Sequence, residues 1–197
     1  VTHGRGMLCV AINGKRLDEL NLPLMVETNS ALHGTQFTVT IDAIEGTTTG
    51  ISAADRAHTI KKLIDPKSKA NDFARPGHIF PLRSFEEGVL RRAGHTEAAV
   101  DLCKLSNLNP AGVLCEILKA DGEMARVPEL IEIAEKFNLK IVTVQELIKY
   151  RIKNENLIEK ISDIDFPTNH GQFRLHLYRN LLDKKKQVAL VKGEPDP

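Results

Sequence analysis

The chain has 197 residues, 42% of them hydrophobic and 27% charged, a composition that suits one well-buried core and a little more. A net charge of +1 and a pI near 7.9 supply no global field to recruit nucleic acid or an anionic membrane. No apolar run reaches about 18 residues, and residues 1–30 lack the basic-then-apolar order of a signal peptide, so the expectation is a cytoplasmic protein with no membrane span.

Helix and strand signals alternate along the chain. Val1 rather than Met stands close before a strand-like run, Met7–Ile12, and the chain stops soon after the apolar Val188–Val191. Both ends read as cuts through a longer polypeptide. Gln36–Ala43 reads as a strand, with Phe37, Val39 and Ile41 alternating against threonines. Ser52-Ala53-Ala54-Asp55 has the spacing of a capping box with Asp in place of Glu, and predicts a helix through about Ile64, closed by Asp65-Pro66. A polar loop, Lys67–Arg75, leads to a short strand, Ile79–Leu82. Residues 96–105 carry apolar side chains at helical spacing, and Gly112–Leu118 reads as a buried strand. Pro128–Phe137 is expected as a helix with proline in its first turn, Lys140–Val144 as a strand and Val144–Tyr150 as a helix.

The fold class expected is therefore α/β (α+β), a mixed sheet covered by helices, ending near Arg151. The charged stretch 152–162 reads as a linker. Residues 163–197 then hold two strand patterns, Gln172–Tyr178 and Gln187–Val191, joined by Asp183–Lys186. That is a hairpin, marginal in water by itself, and it reads as the start of a truncated second domain.

Three clusters carry residues suited to chemistry. Arg92-Ala93-Gly94-His95-Thr96 leads into a helix, and free N–H groups with Arg and Thr donors suit a phosphate. An ordinary helix start with a surface Arg fits the same residues. His95 suits a metal ligand or a structural role. Arg75-Pro76-Gly77-His78 precedes a strand, so His78 is an acid/base group at a strand edge or a partly exposed turn histidine. Glu116 sits in the apolar run Ala111–Leu118, where a carboxylate is costly unless it is paired or used. It is a general acid/base of raised pKa or an outward-facing strand residue. Gly46-Thr47-Thr48-Thr49-Gly50 is a hydroxyl-rich turn, and Lys184–Lys186 reads as a solvated hairpin tip. The widely spaced Cys9, Cys103 and Cys115 read as buried free thiols, and without a CxxC pair a structural zinc site has no support. No P-loop, GxGxxG unit, HExxH or serine nucleophile elbow is present.

Six motifs in order resemble one family. Gly34–Ile41, Glu45–Arg56, Arg75–Leu82, Gly94–Ala98, Pro110–Glu116 and Gly122–Arg126 are similar to the 3,4-dihydroxy-2-butanone 4-phosphate synthases, and the similarity runs from about Gly4 to Arg151. The tail, Phe166–Arg174 with Tyr178 and Val188–Glu194, resembles the opening hairpin of GTP cyclohydrolase II.

The resemblance implies a lyase that converts D-ribulose 5-phosphate to L-3,4-dihydroxy-2-butanone 4-phosphate and formate, with Mg²⁺ or Mn²⁺ and no organic cofactor, acting as a homodimer. Residue by residue it makes His78 and Glu116 catalytic and His95 the metal-ligand histidine. Arg92, Ala93, Gly94, His95 and Thr96 would hold the substrate, chiefly its phosphate, with Thr49, Asp55, Arg75 and Cys9 at further site positions. The family's acidic motif, which supplies a glutamate ligand to the metal, is expected upstream of Val1, so the 197-residue chain is expected to be inactive. The alternative is a non-catalytic phosphosugar-binding or dimerisation module. A third reading, a cyclohydrolase carrying a decayed synthase half, is opposed by the presence of His78, His95 and Glu116. The expectation is that these three residues meet at one site.

Overall fold

The computed structural model describes residues 2–194, and the chain divides between Leu147 and Ile148 into two units. The first is built on β1 (Cys9–Asn13), β2 (Ile41–Ala43), β3 (Phe73–Ser84) and β4 (Ala111–Leu114), in the order β2-β3-β1-β4. β1 runs parallel to β3, while the outer pairs β1–β4 and β2–β3 are antiparallel. Helices α1 (Gly14–Glu19), α2 (Ala53–Ile64), α3 (His95–Leu105), α4 (Val127–Phe137) and α5 (Val144–Asn154) complete the element order, the last of them carrying the division. Among the described residues no helix is long and apolar enough to cross a membrane.

Strand alternation sorts the core onto two faces. Val10 and Ile12 of β1, Ile41 of β2, and Phe73 and Ile79 of β3 pack with Leu17 of α1, Leu63 of α2, Leu20 and Leu22 in one cluster, all nearly inaccessible. Cys9 and Ala11 point the other way and are equally buried, on strands against which α3 packs. Each large aliphatic side chain so buried contributes about 1.5–3 kcal/mol, which makes the sheet the rigid frame of this unit.

The starts of α2 and α4 were legible, whereas α1, capped by the Asn13 side chain, was not anticipated. Ser52 Oγ accepts from the Asp55 N–H at 3.0 Å, and Asp65 ends α2. Several strand expectations need correction. Residues 36–39 form only isolated bridges, Phe37 with Leu82 and Thr38 with Leu24, and a regular strand begins at Ile41. The Thr38 N–H donates to Pro81 O at 3.0 Å, and Pro81 has no N–H to return. β3 is far longer than Ile79–Leu82 and starts at the buried Phe73, inside the stretch expected as loop. The run Gly112–Leu118 is regular only to Leu114 and lies at the sheet edge, with Val113 53% exposed rather than buried. Lys140–Val144 is not a strand. Ile141 and Val142 are exposed, and Thr143 forms a reciprocal cap with Glu146 that commits the chain to α5.

One irregularity positions a candidate residue. Ile41 pairs with Ile79 but Asp42 pairs with Ala74, so Arg75, Pro76, Gly77 and His78 bulge out of β3. The Gly77 N–H donates to Thr40 Oγ1 at 3.0 Å, and a Cβ on Gly77 would sit 2.0 Å from the Ile41 carbonyl carbon. Only glycine permits that approach.

The second unit contains an antiparallel sheet in the order β5-β6-β7, with β5 Ile158–Thr168, β6 Gly171–Asn180 and β7 Lys186–Val191. The expected hairpin is β6–β7. The stretch 152–162, expected as a linker, is helical to Asn154 and enters β5 at Ile158. Within it Glu159 has a cross-strand partner in Arg179 at 3.5 Å, and just beyond it Asp163 pairs across the sheet with Arg174 at 2.5 Å.

Candidate active site

His78 leaves the bulge beside Asp42. The His78 N–H donates to Asp42 Oδ1 at 2.9 Å, and His78 Nδ1 lies 2.6 Å from Asp42 Oδ2. The Asp42 side chain is 14% exposed and that of His78 44%, so the carboxylate is tucked under an imidazole open to solvent. Behind them, one oxygen of the buried Asp55 accepts from Thr48 Oγ1 at 2.7 Å and from the Gly50 N–H at 3.0 Å. The Thr48 hydroxyl is the main cause that holds the Asp55 carboxyl below the ordinary carboxylate range. Asp55 thus fixes the 48–50 turn, in which Thr49 is exposed.

Glu116 approaches from the opposite side of β1. Its Oε2 accepts from the Met7 N–H at 2.9 Å, and its carbonyl accepts from the Gly6 N–H at 3.1 Å. Glu116 is exposed, against the reading of a buried carboxylate. The register relates it to His78. Cys9 pairs with Phe80 on one side and Leu114 on the other. His78 stands two residues before Phe80 and Glu116 two after Leu114, so both flank the stretch Met7–Cys9. Burial first, then the nearby Glu116 and Cys115, push the Cys9 thiol up to about 11. Cys9 is a neutral thiol at the floor of this region.

The third cluster is tied down differently. Arg92 Nη1 donates to Glu97 Oε2 at 2.6 Å, Nε and Nη2 donate to His33 O at 3.2 and 3.0 Å, and Nη2 donates to Thr35 Oγ1 at 3.0 Å. Its fork is turned inward, clamping residues 33–35 to the start of α3. Glu97 also accepts from the Phe85 N–H at 3.3 Å, and one turn on, Asp101 accepts from the Val89 N–H at 2.8 Å. Both carboxylates are buried. Ala93 and His95 are exposed, Gly94 precedes α3 and Thr96 is buried in its first turn. Arg75 is occupied elsewhere, donating from Nη2 to Leu20 O at 2.8 Å and Ala70 O at 3.0 Å.

The site residues expected from sequence therefore fall into two groups. His78, Asp55, Thr49, Glu116 and Cys9 lie on or against the β2-β3-β1-β4 sheet. Arg92 to Thr96 lie at the start of α3, which packs on β4, β1 and β3. Asp42 and Glu97 were missed. Each is a carboxylate in an apolar setting, the signal that singled out Glu116. Two cavities lie elsewhere: one of about 210 Å³ beside Asn13, Arg16 and Pro110, and an apolar one of about 430 Å³ beside His3, Ile133 and Phe137.

Among the described residues no group of three or more His, Cys, Asp or Glu side chains is gathered to hold a metal ion. His95, exposed at the head of α3, is a single imidazole, and a hard divalent cation wants several oxygen ligands. These described residues alone do not make up the expected Mg²⁺ or Mn²⁺ site.

Comparison with known proteins shows the family. The chain matches the 3,4-dihydroxy-2-butanone 4-phosphate synthase family over residues 1–150 and the GTP cyclohydrolase II family over residues 159–197. It is 54% identical over 193 residues to the riboflavin biosynthesis protein RibBA of Synechocystis, covering 97% of this chain and 35% of that protein. RibBA of Aquifex aeolicus is 54% identical over 194 residues, covering 98% and 48%. The chain thus spans between a third and a half of the length of these relatives. Among solved structures, RibBX of A. baumannii, a two-domain synthase, superposes with a TM-score of 0.86 at 48% identity, over 98% of this chain and 57% of that one. A synthase crystallised with two magnesium ions gives a TM-score of 0.75 at 38% identity, covering 78% and 77%. With the motifs and these matches in agreement, the chain belongs to the 3,4-dihydroxy-2-butanone 4-phosphate synthase family, followed by the start of a GTP cyclohydrolase II domain.

Proposed function

We propose that the protein carrying this chain converts D-ribulose 5-phosphate to L-3,4-dihydroxy-2-butanone 4-phosphate and formate, as a homodimer that uses Mg²⁺ or Mn²⁺, and that it also carries GTP cyclohydrolase II. The observation that carries the synthase reading is the placement of His78 and Glu116 on either side of Met7–Cys9, one a solvent-facing imidazole and the other a carboxylate anchored by a backbone N–H. The reaction removes a proton from C3, loses water from C1, shifts a carbon and takes up water as C4 leaves as formate. Each proton transfer needs an acid or base within hydrogen-bond reach. An imidazole and a carboxylate held from opposite neighbours of one strand suit two such transfers on one substrate.

In this reading Arg92 to Thr96 serve the phosphate end, Arg92 by fixing the segment and the backbone and Thr96 by donating, while Thr49, Asp55 and Cys9 support the site; Arg75, a site position by the resemblance, is turned to Leu20 and Ala70 instead. His95 is the metal ligand that the family resemblance implies. The test is formate release from D-ribulose 5-phosphate by the complete protein with Mg²⁺ or Mn²⁺. His78→Asn and Glu116→Gln each abolish most of it if the proposal holds. Wild-type turnover in both variants would end it.

A further inference from the structure

We infer that Asp42 is a positioning residue for His78, selecting the tautomer that leaves Nε2 free to take a proton; this rests on the proposed catalytic role of His78.

The argument begins with donor accounting. An ionised carboxylate only accepts hydrogen bonds. Asp42 Oδ1 is taken by the His78 backbone N–H at 2.9 Å, and Oδ2 faces His78 Nδ1 at 2.6 Å. For that second contact to be a hydrogen bond, Nδ1 must carry the hydrogen. A neutral imidazole has one N–H, so Nε2 is then the bare nitrogen, on the more exposed member of the pair. Two contacts from one carboxylate, to the backbone and the ring of the same residue, also fix the ring's position.

The pair is braced from both sides. The four-residue bulge in β3 brings His78 over Asp42, and Gly77 makes that approach possible. On the other side, a Cβ at Gly50 would lie 2.2 Å from Asp42 Oδ2 and 2.7 Å from His78 Nδ1. The bare face of Gly50 therefore closes directly on the hydrogen bond, and Asp55 holds Gly50 there through its N–H. The neighbours of a metal-bound histidine do the same work when a carboxylate orients the ring, typically worth 10–100-fold.

The experiment is a kinetic cycle with a spectroscopic readout, on the complete protein. Asp42→Asn keeps the shape and removes the acceptor-only character. Formate release should fall roughly 10²-fold in kcat with KM for D-ribulose 5-phosphate changed by less than about threefold. Asp42→Asn added to His78→Asn should cost almost nothing more, since Asp42 acts through His78. In ¹⁵N-histidine NMR the wild-type ring should show Nδ1 protonated, and Asp42→Asn should mix the tautomers. If His78→Asn itself is fully active, the catalytic role of His78 falls and this inference with it. If His78→Asn is inactive while Asp42→Asn turns over normally, the positioning role alone is overturned. Should Asp42→Asn fail to fold, by circular dichroism, the wild-type spectrum decides, because a ring protonated at Nε2 refutes the inference outright.

Discussion

The Arg92 guanidinium and the Glu97 carboxylate meet at 2.6 Å in a pair whose acid is 1% exposed and whose base is 22% exposed. Breaking a buried pair from one side strands a charge. Arg92→Ala should cost about 3 kcal/mol, the low end for such pairs because Arg92 reaches solvent, and release residues 33–35. Thermal unfolding and D-ribulose 5-phosphate affinity should be measured together. A raised KM with an unchanged Tm would instead make Arg92 a direct phosphate ligand.

Glu116→Gln keeps size and the acceptor for Met7 N–H but removes the ionisable group. In the complete protein formate release should fall roughly 10²–10⁴-fold with little change in stability, since the side chain is exposed. A fall in Tm as large as the fall in activity would make Glu116 structural.

Gly77→Ala places a methyl 2.0 Å from the Ile41 carbonyl carbon and 2.2 Å from the Asp42 nitrogen. Backbone cannot yield as a flexible side chain can, so a loss of about 3 kcal/mol or more is expected. Urea midpoints would show it, and a variant as stable as wild type would mean that the bulge relaxes easily.

Asp163 in β5 is held at about 2, from an ordinary 3.8, chiefly by Lys160 and then by Arg174. A carboxyl depressed on folding stabilises fully above its unfolded pKa and loses that contribution as pH falls through the folded one. Any contribution of Asp163 is thus complete above about pH 4 and lost toward pH 2. In Asp163→Asn the stability of the second unit should depend less on pH across that window, with a difference that shrinks in high salt. Carboxyl NMR titration of Asp163 near its ordinary value would contradict the assignment.

The Cys9 thiol, pushed up to about 11, should stay unmodified by iodoacetamide at pH 8 while the chain is folded, and react on unfolding. Mass mapping of alkylated Cys9 in the native protein would show that this part of the sheet opens.

How much of this was legible follows from which signals are local. Most helices declared themselves through caps and period, as at Ser52 and Pro128, where the cause of the structure lies within four residues, though the six-residue α1 did not. The strands did not, because pairing partners are remote. Ile141 and Val142 look like strand residues yet pair with no strand among the described residues, whereas Arg75-Pro76-Gly77-His78 looks like a turn yet interrupts a 12-residue strand only as a bulge. His78 and Glu116 could be named from sequence, but their common neighbour Met7–Cys9 is a matter of register. Asp42 escaped because one alternating strand was read as a surface of threonines and aliphatics, although its carboxylate was as anomalous as that of Glu116.

Glu97 and Asp101 stand one turn apart on α3 and grip the Phe85 and Val89 N–H groups, which every residue but proline possesses. What they recognise is main chain, so the side chains of that connection are under little constraint from the grip itself. Gly88 is the exception, with φ +63° and the Asp101 carboxylate within 2.2 Å of where a Cβ would be. Evolutionary drift should therefore be uneven here: the loop free to vary around one glycine, and the helix positions that read it held nearly fixed.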